Sequence, residues 1–268
     1  MGTGVKHDSI KILRNFMNKL LFNFLTMRRR MIFVLAGWLR KFRAPIVKLL
    51  KPKAAYRLWK RPVNQLQPIS NKYGFDRGLP IDRYYIEKFL TGNNRFIKGR
   101  CLEIGNNAYT VKFGEDQVTT SDVLDISPLN LHANIHGDLA HLDHVKSNTY
   151  DCLIITQTLG LVGDLLSGIK ECKRILKPGG CLLFTGSLLG PIWNIEDSLW
   201  KFTPAGTKYN FGQVFGRKNI LVKSYGNVYA AQAYLVGLAT EELTKKELDY
   251  YDAHYPVVTT VRARKPLR

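Results

Sequence analysis

The chain is poor in acid. Of its 268 residues only 21 are Asp or Glu, against 40 Lys and Arg, a formal charge of +19. The shortage is local. Residues 1–61 hold sixteen Lys and Arg and a single acid, Asp8, whereas the rest carry 24 basic and 20 acidic side chains. Inference from charge therefore belongs to the front of the chain. Cysteine is scarce too: Cys101, Cys152, Cys172 and Cys181 form no C-x-x-C pair. Three fall in predicted strands and one in a predicted helix, so they read as small buried apolar residues. Nothing in them asks for an oxidising compartment, and a reduced, cytoplasmic protein is expected. Internal repeats are absent. A hydrophobic content of 45% with 11% aromatics excludes a disordered chain and allows one substantial α/β core.

The front end is basic and amphipathic. Ile10, Leu13, Phe16, Met17, Leu20, Leu21, Phe24 and Leu25 recur at helical spacing, with Lys11, Arg14 and Lys19 among them. Arg28-Arg29-Arg30, the apolar run Met31 to Leu39 and Arg40-Lys41-Phe42-Arg43 follow. As a helix that run spans about half of a ~30 Å hydrocarbon core, so no membrane crossing is expected. The charged cluster behind it stands where a signal peptide would place its cleavage site. Two readings of residues 9–50 stay open. One is a helix lying on an anionic membrane, at the inner face of the membrane for a cytoplasmic protein. The other is a helical extension packed on the domain that follows. Nucleic acid is not the expected partner, because the basic residues interleave with aliphatics more than with stacking aromatics. The prolines between Pro52 and Pro68 mark a linker, giving an extension over 1–68 and a main domain over 69–268.

From Arg100 onward strands alternate with helices. An apolar strand closes on acid-x-Gly at Cys101-Leu102-Glu103-Ile104-Gly105, and a second closes on an acid at Val118-Thr119-Thr120-Ser121-Asp122. Gly137-Asp138-Leu139 follows, then a strand from Tyr150 to Ile155 and a helix from Asp164 to Leu176. Lys177-Pro178-Gly179-Gly180 leads into a fifth strand, Cys181 to Thr185. Near-continuous apolar strands fit a parallel sheet covered on both faces. Alternation with helices predicts a doubly wound α/β sheet, which binds ligands beyond the carboxyl ends of its strands. Gly105 lets the backbone turn tightly and approach a ligand. The loop Gly105-Asn106-Asn107-Ala108-Tyr109 keeps only the first glycine of G-x-G-x-G, which counts against a nicotinamide site. Gly105 to Gln117 barely spans a crossover, so the first helix after that loop must be short or irregular. His136, Asp138, His141, Asp143 and His144 invite a metal reading, but their spacing is not H-E-x-x-H and no metal is expected.

Taken in this order, the five pieces resemble the core of the class I S-adenosylmethionine-dependent methyltransferases, type 11 in particular. The resemblance implies a Rossmann-like seven-stranded sheet with helices on both faces, here with the basic helical extension in front. It implies S-adenosylmethionine as cofactor. Glu103 would bond the methionine part of the cofactor, above the loop of Gly105 and Asn106. Asp122 would receive the two ribose hydroxyls, with Asp125 as its rival. Asp138 and the Leu139 N–H would take the adenine. Gln157, in Thr156-Gln157-Thr158-Leu159, would line the methyl-donor side. The flanks Tyr73 to Leu90, Trp200 to Pro204, Tyr225 to Val228, Glu242-Leu243 and Tyr255 to Lys265 are similar to one bacterial subfamily. Its members often stand beside glycosyltransferases that build surface polysaccharides. In that subfamily Asp82-Arg83-Tyr84 would close over the cofactor, Arg83 on its carboxylate and Tyr84 packed against it.

A glycan or other small hydroxyl acceptor is the implied substrate, and it would need a base near the methyl group. His136, His141, His144, Asp164 and Glu196 are the candidates. Trp193 and Trp200 lie after the fifth strand, where acceptor recognition is placed in such enzymes, although core packing accounts for a tryptophan equally well. Two other functions are consistent with the chain. A catalytically degenerate binding module recruited to the membrane would explain the altered glycine loop. A nucleic-acid methyltransferase would use the basic front end, but the fourth motif is not of the N/D-P-P-Y type that holds a base amino group.

Overall fold

A computed structural model of the chain describes residues 66–192 and 195–267. The expected helix within residues 9–50, and Trp193, lie outside the described residues. Seven strands form one sheet in the order β3-β2-β1-β4-β5-β7-β6. The chain runs through α1 (Ile81–Thr91), β1 (Gly99–Ile104), α2 (Ala108–Gly114), β2 (Val118–Asp125) and β3 (Ile135–His136). It continues with β4 (Tyr150–Thr156), α3 (Leu165–Ile175), β5 (Leu176–Ser187) and α4 (Pro204–Phe215). It closes with β6 (Ile220–Tyr225), α5 (Val228–Leu235), α6 (Lys245–Asp249) and β7 (Val258–Arg264). All neighbours are parallel except β7, which is antiparallel to both β5 and β6.

Side chains alternate between the two faces, as the strand period of two requires. Leu102, Leu153 and Leu182 enter one core with Ile169 and Cys172 of α3 and Phe211 and Phe215 of α4. Their neighbours Cys101, Cys152 and Cys181 lie in register on the opposite face, against Ile86, Phe89 and Leu90 of α1. All four cysteines are buried and unbridged, the role of small apolar residues read for them. The side chains fully out of water contribute about 1.5–3 kcal/mol each for a Leu, Ile or Phe. Asp164 starts α3 by accepting from Ser167 N, and its Leu165, Ile169, Cys172 and Ile175 form the buried stripe.

The crossover after β1 is as tight as its length dictates: α2 has seven residues and ends in a 3-10 turn at Glu115–Gln117. One boundary differs from expectation. Lys177-Pro178-Gly179-Gly180 is not a loop before the fifth strand but the opening of β5, whose pairing with β4 shifts register there. Strand order reverses between β1 and β4. The crevice outside their carboxyl ends is where this topology receives a ligand.

Candidate active site

The turn out of β1 is built on Glu103. Its carboxylate is 2% exposed and accepts from Tyr109 N at 3.2 Å, Thr110 N at 2.7 Å and the Thr110 hydroxyl at 2.8 Å. A strand carboxylate thus caps the first turn of α2, where unpaired N–H groups and the helix dipole favour an anion. Burial pushes its pKa up, and the Thr110 bonds only partly offset this. These oxygens are engaged by the loop, so Glu103 holds the turn out of β1 in place. Asn106 likewise turns inward on the loop, its Oδ1 accepting from Ala108 N at 2.9 Å. Gly105 has φ +77°, and a Cβ placed there would meet nothing within 4 Å. Bare backbone facing open space is what a closely approaching ligand requires.

Asp125, not Asp122, ends β2 beside the Gly105 turn. β2 continues three residues beyond Asp122, which pairs with Leu102 inside the sheet. Asp122 is 4% exposed and takes Arg100 Nε at 2.7 Å and Asn134 Nδ2 at 2.7 Å. Burial opposes its ionisation, but Asn134 and Arg100 outweigh it and hold the carboxyl below the ordinary range. It is a structural ion pair. Asp125 ends the strand, and Asn130 Nδ2 ties it to the turn, donating to Asp125 Oδ2 at 2.5 Å and to the Gly105 carbonyl at 2.6 Å. Gly137 N donates to the Asp125 carbonyl at 3.1 Å, which brings Asp138 and the buried Leu139 alongside. The signal was in the sequence: apolar Val123-Leu124 carries the strand past Asp122, and Ser127-Pro128 ends it just after Asp125.

On the other side of the switch point lies a cavity of about 300 Å³ at the carboxyl ends of β4 and β5. Asp82 and Arg83 of α1, Gln157 after β4, Ser187 at the end of β5, Trp200 and Tyr234 are on its wall. Gln157 sits at φ +56° and joins two of them. Its Nε2 donates to Asp82 Oδ2 at 3.4 Å, and its Oε1 accepts from Ser187 N at 3.0 Å and Ser187 Oγ at 3.1 Å. Tyr234 stands beside Asp82 and Ser187 on the same wall, and burial with the Asp82 charge raises its pKa. Asp82 is 5% exposed. Burial pushes its carboxyl above the ordinary range, against the pull of neighbouring Arg83 and the Tyr234 hydroxyl. Arg83 meets the Tyr109 hydroxyl. Burial works against its charge, but Asp82 and Tyr109 more than restore it. Arg83 thereby links the cavity to the turn that Glu103 holds. Trp200 Nε1 donates to the Val162 carbonyl at 2.9 Å, which fixes the indole at the rim.

Several expectations need correcting. Tyr84 does not face this site: its hydroxyl donates to Asp249 Oδ1 at 2.7 Å, and its pKa rises to about 12. On a helix, position 84 is turned some 200° from Asp82, so the two cannot serve one pocket. None of the five base candidates lines the cavity. His136, His141 and His144 are exposed at and beyond β3, on the far side of Asp125. Asp164 caps α3, accepting from Ser167 N at 2.9 Å and Ser167 Oγ at 2.7 Å. Glu196 is exposed in the turn before Ser198. Asp82, buried on the cavity wall, left a trace in the sequence: it falls on the same stripe as Tyr85, Ile86 and Phe89, an acid on the apolar face of a helix. Among the described residues no three His, Cys, Asp or Glu gather into a metal-binding group.

Residues 96–184 match the family model described as "Methyltransferase domain". A polyamine aminopropyltransferase of Prochlorococcus marinus is 40% identical over 60 residues, a stretch covering 21% of this chain and 21% of that protein. The chain thus matches about a fifth of that curated relative's length. Among solved structures, an S-adenosylmethionine-dependent methyltransferase from Archaeoglobus fulgidus is similar at TM-score 0.48 and 12% identity, over 73% of this chain and all of that one. The [4+2]-cyclase SpnF is similar at TM-score 0.48 and 15% identity, over 69% and 82% of the two chains. Haemonchus contortus phosphoethanolamine N-methyltransferase 2, solved with S-adenosyl-L-methionine, is similar at 0.46 and 14%, over 67% and 52%.

The two acids of β2 separate in one calorimetric experiment with S-adenosylhomocysteine. Asp125→Ala should weaken binding by about a hundredfold, since hydrogen bonds to a charged acceptor are worth roughly 1.5–3 kcal/mol each. Asp122→Asn should leave affinity within about threefold and instead lower unfolding stability by about 1–3 kcal/mol, the cost of a disrupted buried polar network. The opposite pattern would return the ribose to Asp122.

Proposed function

We propose that the chain is a class I S-adenosylmethionine-dependent methyltransferase and that it methylates a hydroxyl of a small glycan-like acceptor seated beside Asp82. One observation carries this reading: a buried carboxylate on the wall of a cavity at the carboxyl ends of β4 and β5. When bound, the cofactor supplies a methyl group already activated on sulfonium sulfur. Asp125, the Gly105 backbone, Asp138 and Leu139 would hold its nucleoside end, and Arg83 its carboxylate. The protein's remaining task is to place an acceptor oxygen and remove its proton.

Asp82 suits that task. A carboxyl held above its usual range is a stronger base when ionised, and proton transfer is best served by a pKa near the working pH. Tyr234 and Gln157 fix the orientation of the carboxylate. Trp200, Phe202 and Tyr73 give the cavity aromatic walls, while Ser187, Gln157 and Lys201 supply polar groups. Lys201 is exposed at this wall, and partial burial lowers its ammonium from the ordinary value. Flat apolar faces with a few convergent polar groups are suited to a sugar ring.

The basic residues at 9–50 would hold the enzyme on an anionic membrane surface. Sixteen Lys and Arg against one acid in residues 1–61 support this, each cation near such a surface contributing about 1 kcal/mol.

Transfer of tritiated methyl from S-adenosylmethionine to a panel of methyl glycosides tests the reaction. Expected is label on a glycoside oxygen; label on amines alone would exclude the hydroxyl reading. Asp82→Asn should retain S-adenosylhomocysteine binding within a few-fold and lose about 10²–10⁴ in kcat. The base works only when ionised and its pKa is raised, so the wild-type rate should climb with pH through a point above the usual carboxylate range. That limb should be flat in Asp82→Asn.

Replacing Arg28, Arg29 and Arg30 with glutamine in the full chain should reduce sedimentation with phosphatidylglycerol vesicles while leaving cofactor affinity unchanged. Undiminished sedimentation would remove these arginines from the membrane reading.

A further inference from the structure

The end of the domain opposite the active site is lined by cations. One cleft runs past Lys170, Lys173 and Arg174 at the last turns of α3, and Lys265 closes its side. A second runs from Lys265 past Arg262 and Arg264 to Lys218. The two share Lys265, and neither contains an Asp or Glu. Outside residues 1–61 the chain is nearly balanced, 24 basic against 20 acidic residues, so seven cations at one end are a concentration and not a background.

These charges are held in place by neutral groups. Among the described residues only Arg174 of the seven has an ion-pair partner, Glu171 at 2.8 Å. Lys265 Nζ donates to Asn148 Oδ1 at 2.8 Å and to the carbonyls of Leu176 at 2.8 Å and Arg174 at 3.1 Å. Arg262 and Arg264 lie 5.1 and 5.9 Å from the centre of the Phe96 ring, and Arg95 shares that ring at 4.9 Å. Arg262 also donates to Asn93 Oδ1, and Arg264 to the Gly179 carbonyl, both at 3.3 Å. Burial, followed by the repulsion of Lys173 and Arg174, lowers the Lys265 pKa. Like charges are gathered here with Glu171 as the one acid paired to them among the described residues. An anion would relieve that repulsion, and guanidinium groups suit phosphate oxygens.

The shape and the apolar neighbours select among anions. Leu267 is 77% exposed and Leu221 40%, and both stand at the rim of the second cleft among its cations. Exposed leucines between lysines and arginines fit the boundary between headgroups and acyl chains. Single-stranded nucleic acid would call for stacking aromatics, and neither cleft is lined by one. A small free phosphate would call for one enclosed pocket, whereas the cations are spread along two clefts.

We propose that this end of the domain docks on an anionic bilayer, its lysines and arginines taking lipid phosphates while Leu221 and Leu267 enter between the headgroups. This contact is separate from the N-terminal segment and does not depend on the identity of the acceptor. It also sets the orientation of the enzyme. Arg264 pairs with Cys181 and Val258 with Ser187, so along β5 the basic end and the acceptor cavity are roughly 20 Å apart at ~3.3 Å per residue. The cavity opens away from the lipid, and the hydroxyl to be methylated approaches from the aqueous side.

The test uses the full chain with Leu267→Cys labelled by an environment-sensitive fluorophore; the four native thiols are buried. A second labelled protein carries Ile126→Cys just past the carboxyl end of β2, where the native side chain is 71% exposed. Expected with phosphatidylglycerol vesicles is a blue shift at position 267 and none at 126. It should be absent with phosphatidylcholine, fade as salt rises, and be lost when Lys170, Lys218 and Arg264 are all replaced by glutamine. The loss should occur even while the N-terminal arginines keep that variant on the vesicles. No shift at 267, equal shifts at both positions, or a shift unchanged in the triple variant would each overturn docking through this face. A response to inorganic pyrophosphate alone, or to an oligonucleotide in place of vesicles, would overturn the bilayer as its partner.

Discussion

A buried carboxylate on three donors of one helix end is the interaction from which the site is built. Glu103 pays for its loss of water by capping Tyr109 and Thr110 at the start of α2. With only seven residues, α2 could not hold its position by its own hydrogen bonds. Fixing its first turn fixes Gly105 in the left-handed region, and Asn130 then ties the Gly105 carbonyl to Asp125. Through Tyr109 the same turn reaches Arg83, and through Arg83 it reaches Asp82. The Gly105–Asp125 turn and the cavity at the ends of β4 and β5 are thus linked through one glutamate.

The polarity of the sheet distributes the chemistry. Carboxyl ends of β1, β2, β4 and β5 carry Gly105, Asp125, Gln157 and Ser187, whose geometry suits ligand binding and proton removal. Amino ends, together with the antiparallel end of β7, carry cations that no catalytic step uses. Chemistry at one end and charge at the other let an enzyme be held at a surface while its cavity stays accessible.

Much of the architecture was legible in the sequence, for a physical reason. Central parallel strands are buried on both faces, so Cys101 to Ile104 and Cys152 to Ile155 had to be nearly continuous in apolar residues. The short crossover after Gly105 could be inferred from chain length alone. Element ends were harder. Asp122 follows four mostly polar residues and reads as a terminus, yet it is an acid inside the strand, tolerated because Arg100 and Asn134 satisfy it. The opening of β5 was hidden in the same way, because Pro178-Gly179-Gly180 has loop composition inside a strand.

The base proposed here was hidden for a different reason. Histidine attracts attention from composition, but His136, His141 and His144 are exposed at and beyond β3. Asp82 acquires its character only from partners far along the chain, Gln157, Ser187 and Tyr234, which folding brings to one wall. The most direct test of this arrangement is a crystal structure of the chain with S-adenosylhomocysteine bound. Expected are the ribose hydroxyls on Asp125, the adenine beside Asp138 and Leu139, and the sulfur facing the cavity of Asp82. A ribose on Asp122 with Arg100 displaced, or a sulfur turned toward His136, would contradict it.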